Sequence, residues 1–93
     1  MRFLANSQPA EGTSREQLLG FFAEHEIGAS TWDLVRHRIV VEFLFKVGDR
    51  PGVVLFLEAE SLGAAADVVN ALPIVEAGLV TFEIDPVSAV AHF

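Results

Sequence analysis

The sequence contains no cysteine, so no disulfide braces it and no zinc site can be built on thiolates. Bases are scarce: six Lys and Arg stand against thirteen Asp and Glu, a formal net charge of −7 at pH 7. Nucleic-acid binding draws on clustered Lys and Arg, so this balance argues against a nucleic-acid partner. Long apolar runs are also missing. The longest, Val53 to Leu57, has five residues, against the ~20 a membrane-spanning helix needs, and no membrane partner is expected. Met1-Arg2-Phe3-Leu4-Ala5 passes at once into Asn6-Ser7-Gln8-Pro9, too short for a secretory signal, so the expected location is cytoplasmic. There is no glycine-rich phosphate loop, and no two of His25, His37 and His92 have metal-ligand spacing. No metal and no cofactor are expected.

What is present is apolar. The 93 residues leave room for one domain, 1–93, yet 52% of them are hydrophobic and only 20% charged, with a mean hydropathy of +0.44. That is much apolar sequence for a small interior, because a domain this size buries only about two thirds of the surface its unfolded chain exposes.

The order of residues predicts the elements. Arg2 to Asn6 reads as a strand, stopped by Ser7-Gln8-Pro9. Thr13 and Glu16 have the spacing of a capping box, so a helix starts there. Leu18, Phe22, His25, Ala29, Trp32 and Arg36 recur at helical steps, giving one helix, with a kink near Gly28 or a second short helix capped by Ser30 or Thr31 as the alternative. Ile39 to Val47 is dense in β-branched and aromatic residues and reads as a strand. Gly48-Asp49-Arg50-Pro51-Gly52 turns the chain into a second strand, Val53 to Ala59. Ser61 caps a helix bearing Leu62, Ala65, Ala66, Val69 and Leu72, which Pro73 ends. Leu79 to Asp85 is a last strand halted by Pro86, and Val87 to Phe93 is a tail. The order strand, helix, strand, strand, helix, strand is the ferredoxin-like βαββαβ arrangement of the α+β class, a four-stranded antiparallel sheet with its helices on one face.

Two helices cover one side of such a sheet. In the third strand Val53, Leu55 and Leu57 point one way and Val54 and Phe56 the other. In the second, Val41, Phe43 and Phe45 oppose Val40, Glu42, Leu44 and Lys46. The second face is therefore expected to be too apolar for a lone soluble chain, and burial against the same face of a second copy, a homodimer, is predicted.

The run Arg50-Pro51-Gly52-Val53-Val54-Leu55-Phe56-Leu57-Glu58-Ala59-Glu60-Ser61, followed by Ala71-Leu72-Pro73-Ile74-Val75-Glu76-Ala77-Gly78-Leu79-Val80-Thr81-Phe82-Glu83, resembles the muconolactone isomerase-like proteins of the dimeric α+β barrel superfamily. The likeness extends from Glu16 to Pro86, and its most specific parts are the strand, the Ser-capped helix and the Leu-Pro stop. It implies a ferredoxin-like protomer, sheets paired face to face in a homodimer, and association into a ring of dimers. It also implies cofactor-independent proton transfer on a small lactone, in a pocket between the sheet and the first helix.

The family's helix carboxylate aligns with Glu26, and with Glu24 if the register slips by two. A carboxylate is suited to moving a proton beside a carbonyl, and His25 is its candidate assistant. The ordinary alternative for Glu24-His25-Glu26 is a solvated helix face. Where the isomerases carry Trp, Arg and His on the second strand, this chain has Val40, Val41, Glu42, Phe43, Leu44 and Phe45. A site without that cation fits a small hydrophobic metabolite better than a carboxylated lactone. Phe3, Phe22, Trp32 and Phe82 are the candidate substrate-binding residues, with plain core as the alternative for each. Arg36-His37-Arg38, Lys46 and Arg50 form a possible anion site or a solvated helix end. The leading expectation is an isomerase or cyclase. A noncatalytic small-molecule-binding or assembly module and an antibiotic-biosynthesis-type monooxygenase are the competing readings.

Overall fold

The computed structural model describes residues 1–24, 29–46, 48 and 52–88. Its elements are β1 (Arg2–Pro9), α1 (Arg15–Glu24), α2 (Ala29–Arg36), β2 (Val40–Lys46), β3 (Gly52–Glu58), α3 (Leu62–Asn70), α4 (Pro73–Glu76) and β4 (Val80–Val87). The strands form one sheet in the order β2-β3-β1-β4, and every neighbouring pair is antiparallel. This is the expected ferredoxin-like α+β fold. Leu18 of α1 and Ala65 and Val69 of α3 join Phe3, Ala5, Leu55 and Leu57 in one buried cluster, so the helices share one side of the sheet.

Several local expectations shift, each for a visible reason. The capping box lies one residue later than Thr13 and Glu16. The Ser14 hydroxyl accepts from the Gln17 amide at 3.1 Å, and the Gln17 side chain accepts from the Ser14 amide at 2.7 Å, the same reciprocal pairing with Gln in place of Glu. The expected single helix is two, α1 and α2. Pro73 stops α3 but also opens α4 at its first position, where its missing N–H costs nothing. Ser61 caps α3 as expected, its hydroxyl accepting from the Ala64 amide at 3.1 Å. The Pro51-Gly52 turn and residues 89–93 of the tail lie outside the described residues; Gly52 itself begins β3.

Both β1 and β4 run longer than expected. β1 continues through Ser7 and Gln8 to Pro9 because β4 still pairs there, up to Pro9 opposite Val80. On the other side the Ser7 hydroxyl accepts from the Val53 amide at 2.9 Å, a side-chain acceptor in place of a backbone one. β4 runs through Pro86 because it is an edge strand, where a residue without N–H is tolerated.

Two helix ends close in the same way. After α4, the Gly78 amide donates to Val75 and the Leu79 amide to Ile74, at 2.9 and 3.3 Å; after α2, Arg38 donates to Val35 and Ile39 to Leu34, at 3.0 and 2.9 Å. Both are the Schellman pattern, which places one residue in the left-handed region. Gly78, at φ 76°, takes that conformation freely, whereas Arg38, at φ 59°, carries a Cβ into it at roughly 1–2 kcal/mol. Replacing Arg38 by glycine is therefore expected to stabilise the fold by about 0.5–1 kcal/mol, the relieved strain less the extra freedom of an unfolded glycine. A higher urea midpoint at unchanged slope is the reading that checks it.

Candidate functional site

The register lays out the helix-facing side of the sheet as three rows. Phe45 pairs with Val53, whose amide reaches Ser7, and Ser7 pairs with Phe82. The next row is Phe43, Leu55, Ala5 and Ile84, and the third is Val40, Leu57, Phe3 and Pro86. Val40 was expected on the opposite face from Phe43 and Phe45. A bulge between Val40 and Glu42 places two residues of β2 against one of β3 and returns Val40 to the core side.

No residue in these rows is ionisable. The one polar side chain, Ser7, is 1% exposed, and its hydroxyl already accepts from Val53. The small Ala5 and Ser7 sit low in the middle, where Leu18, Ala65 and Val69 complete the cluster. The outer columns are taller and less covered. Phe43 and Phe45 meet edge to face, ring centroids 5.3 Å apart and planes at 64°, and Phe45 is 52% exposed although it faces the helix side. An aromatic pair of this kind offers apolar area and a ring edge to a flat, uncharged partner. It offers no proton.

The named candidates separate. Phe3, 1% exposed, is core. Phe82 is partly buried and packs against that core. Trp32 on α2 is 49% exposed, available to a ligand. His25 and Glu26 lie outside the described residues, as do the side chains of Phe22 and Glu24. In sequence, residues 25–28 join α1 to α2, and α2 packs on β2, the strand that carries Phe43 and Phe45. This aromatic pair is the site feature that the candidate residues missed. Its signal was the alternation of Phe43 and Phe45 on one face of a strand.

The basic residues do not form one site. Arg36, His37 and Arg38 precede β2 while Lys46 ends it, seven strand residues away, or roughly 20 Å; Arg50 lies outside the described residues. Arg36 pairs with Asp33 at 3.5 Å, both exposed, and His37 Nδ1 lies 2.8 Å from the Asp33 carbonyl. Lys46 crosses to the centre of the sheet, donating to Asn6 Oδ1 at 2.9 Å and to the Ser7 carbonyl at 2.5 Å. Glu42 shares its face but is not the partner of Lys46. A Cβ on Gly52 would collide with Ser7 Oγ and lie 2.9 Å from Lys46 Cε, so a side chain there would have to displace the Ser7 hydroxyl and the crossing Lys46. Among the described residues no group of three or more His, Asp or Glu is placed to hold a metal ion, and no helix is long and apolar enough to cross a membrane.

No family model and no curated protein matches this chain. Among solved structures, a 5-chloro-2-hydroxyhydroquinone dehydrochlorinase (TftG) from Burkholderia phenoliruptrix, in complex with 2,5-dihydroxybenzoquinone, superposes with a TM-score of 0.71 at 22% identity, covering 95% of this chain and 94% of that one. The likeness extends over nearly both chains and is one of fold, the ferredoxin-like α+β arrangement described above.

Substitutions at four positions test this layout. Phe3→Ala is expected to cost roughly 3–5 kcal/mol, as for a buried ring, and Phe45→Ala well under half of that, read from denaturant midpoints. Gly52→Ala is expected to cost about 2 kcal/mol by overpacking. In a Ser7→Ala background, which removes the colliding oxygen, that cost should shrink; an additive double mutant would show that the Ser7 hydroxyl does not constrain Gly52.

Proposed function

We propose that this protein is a cofactor-independent, muconolactone isomerase-like enzyme that moves a proton on a small, uncharged cyclic metabolite. The observation that carries the reading is the absence of any ionisable side chain among the described residues of the helix-facing sheet surface. Such a surface binds by apolar contact and ring packing and leaves acid–base work to the helical layer. Glu26, Glu24 and His25 stand at the junction of α1 and α2, and in this reading Glu26 is the base, His25 its assistant, and Phe43, Phe45, Phe82, Phe22 and Trp32 hold the ring. The carboxylate takes a proton from carbon beside a carbonyl and returns it elsewhere on the ring, so no net charge or electron is transferred. The fold shared with a dehydrochlorinase of a hydroxylated ring supports a small ring compound as the substrate class.

The same uncharged surface favours a second reading, a noncatalytic module that holds a hydrophobic ligand. The two differ in one substitution. Against a panel of uncharged enol-lactones and ring ketones in D2O, the wild-type protein is expected to exchange a ring C–H, and Glu26→Gln to slow that exchange about 100-fold or more while binding survives. Binding without exchange in the wild type would favour the module, and exchange unaffected by Glu26→Gln would remove Glu26 as base.

We also propose that the other face of the sheet is buried in a homodimer, the unit of any larger ring. Leu4 pairs with Phe56 and Leu44 with Val54. These four form a central apolar patch on a face without helices, and Leu44 is 44% exposed. An apolar patch meets like chemistry on its own copy, which suits an isologous contact. Sedimentation is expected to give the mass of two chains, and Phe56→Glu the mass of one with its circular dichroism intact; a wild-type mass of one chain would rule the pairing out.

A further inference from the structure

We propose that the charged margin of this second face makes its pairing with another copy depend on salt. The proposal rests on the homodimer reading and adds a control to it. Around Leu4, Leu44, Val54 and Phe56 the register places Glu42 beside Phe56, Glu83 beside Asn6, and Asp85 beside Leu4. Glu58 shares the face but is neutralised by Arg2, whose Nε lies 2.8 Å from Glu58 Oε1. The Met1 ammonium also lies 3.7 Å from Glu58 Oε2, and Lys46, the other cation among the described residues of this face, is turned inward onto Asn6 and the Ser7 carbonyl. The β4 side carries Glu83 and Asp85 with no basic residue in either position's pairing row on β1. Among the described residues of this face four carboxylates, Glu42, Glu58, Glu83 and Asp85, stand against Arg2, Lys46 and the Met1 ammonium, so the face keeps a net negative charge that is concentrated on β4, and a face packed on its own copy meets the same sign.

The distances set the range over which this matters. Packed sheets lie about 10 Å apart, which equals the screening length at roughly 0.1 M salt. At lower salt the margins repel across the gap; at higher salt the repulsion vanishes and the apolar centre acts alone. The pairing is weak in dilute buffer and tightens as ions are added.

Sedimentation equilibrium from about 20 mM to about 500 mM NaCl, over which the screening length falls from roughly 20 Å to roughly 4 Å, tests this. The wild-type dimer is expected to tighten about tenfold across that range. Glu83→Gln/Asp85→Asn should already be tight at low salt and change little. Glu60→Gln/Glu76→Gln removes the same charge from exposed positions on the helical side and should keep the wild-type salt dependence. A dimer indifferent to salt, one that loosens with salt, or equal flattening by both double variants would overturn the salt control and leave the homodimer standing. A single-chain mass for every protein at every salt would overturn the homodimer and this control together.

Discussion

A sheet has two faces and this chain has helices for one of them. That constraint orders the rest of the structure. On the covered side, Phe3, Leu55 and Leu57 meet Leu18, Ala65 and Val69, and the central strand β1 contributes the small Ala5 and Ser7 beside Phe3. The removal of these apolar side chains from water is the main favourable term available to a chain without disulfides. On the uncovered side the same strands offer a mixed surface, apolar at Leu4, Leu44, Val54 and Phe56 and acidic along β4.

The alternation of side chains along each strand also separates two kinds of work. Helix-facing positions supply a surface without ionisable side chains that ends in the half-exposed Phe43 and Phe45 pair. Outward positions carry Glu42, Glu83 and Asp85. Polar side chains that do reach the middle of the sheet serve its geometry: Ser7 accepts from Val53 where the ladder between β1 and β3 ends, and Lys46 reaches across β3 to Asn6. Because Gly52 has no side chain, Lys46 can cross there without distorting the strand.

The fold was legible because hydrophobic period and punctuation agree. Val53 to Leu57 alternates cleanly, Ser61 precedes an apolar helical face, and β-branched residues crowd β2. Errors arose where a local rule has two equivalent solutions. Thr13-x-x-Glu16 and Ser14-x-x-Gln17 both satisfy the capping pattern, and neighbouring geometry chose the second. The bulge in β2 left no mark in the sequence and reversed the face of Val40. At the candidate site the carboxylates and the aromatic residues were readable as types, but which aromatic residues are core and which remain open depends on helix placement. Phe3 and Phe45 look alike in sequence and differ completely in exposure.

Periodicity, capping residues and turn residues act between neighbours a few positions apart, so the string of residues alone was enough for element types, their order and hence the ferredoxin-like α+β topology. Strand register, the bulge, the crossing of Lys46 over Gly52 to Asn6 and the uneven covering of the aromatic residues arise between segments that lie from roughly fifteen to more than seventy positions apart in the chain. Those contacts exist only once the chain has closed on itself, because no local interaction distinguishes one pairing of strands, or one seat for a helix, from the next.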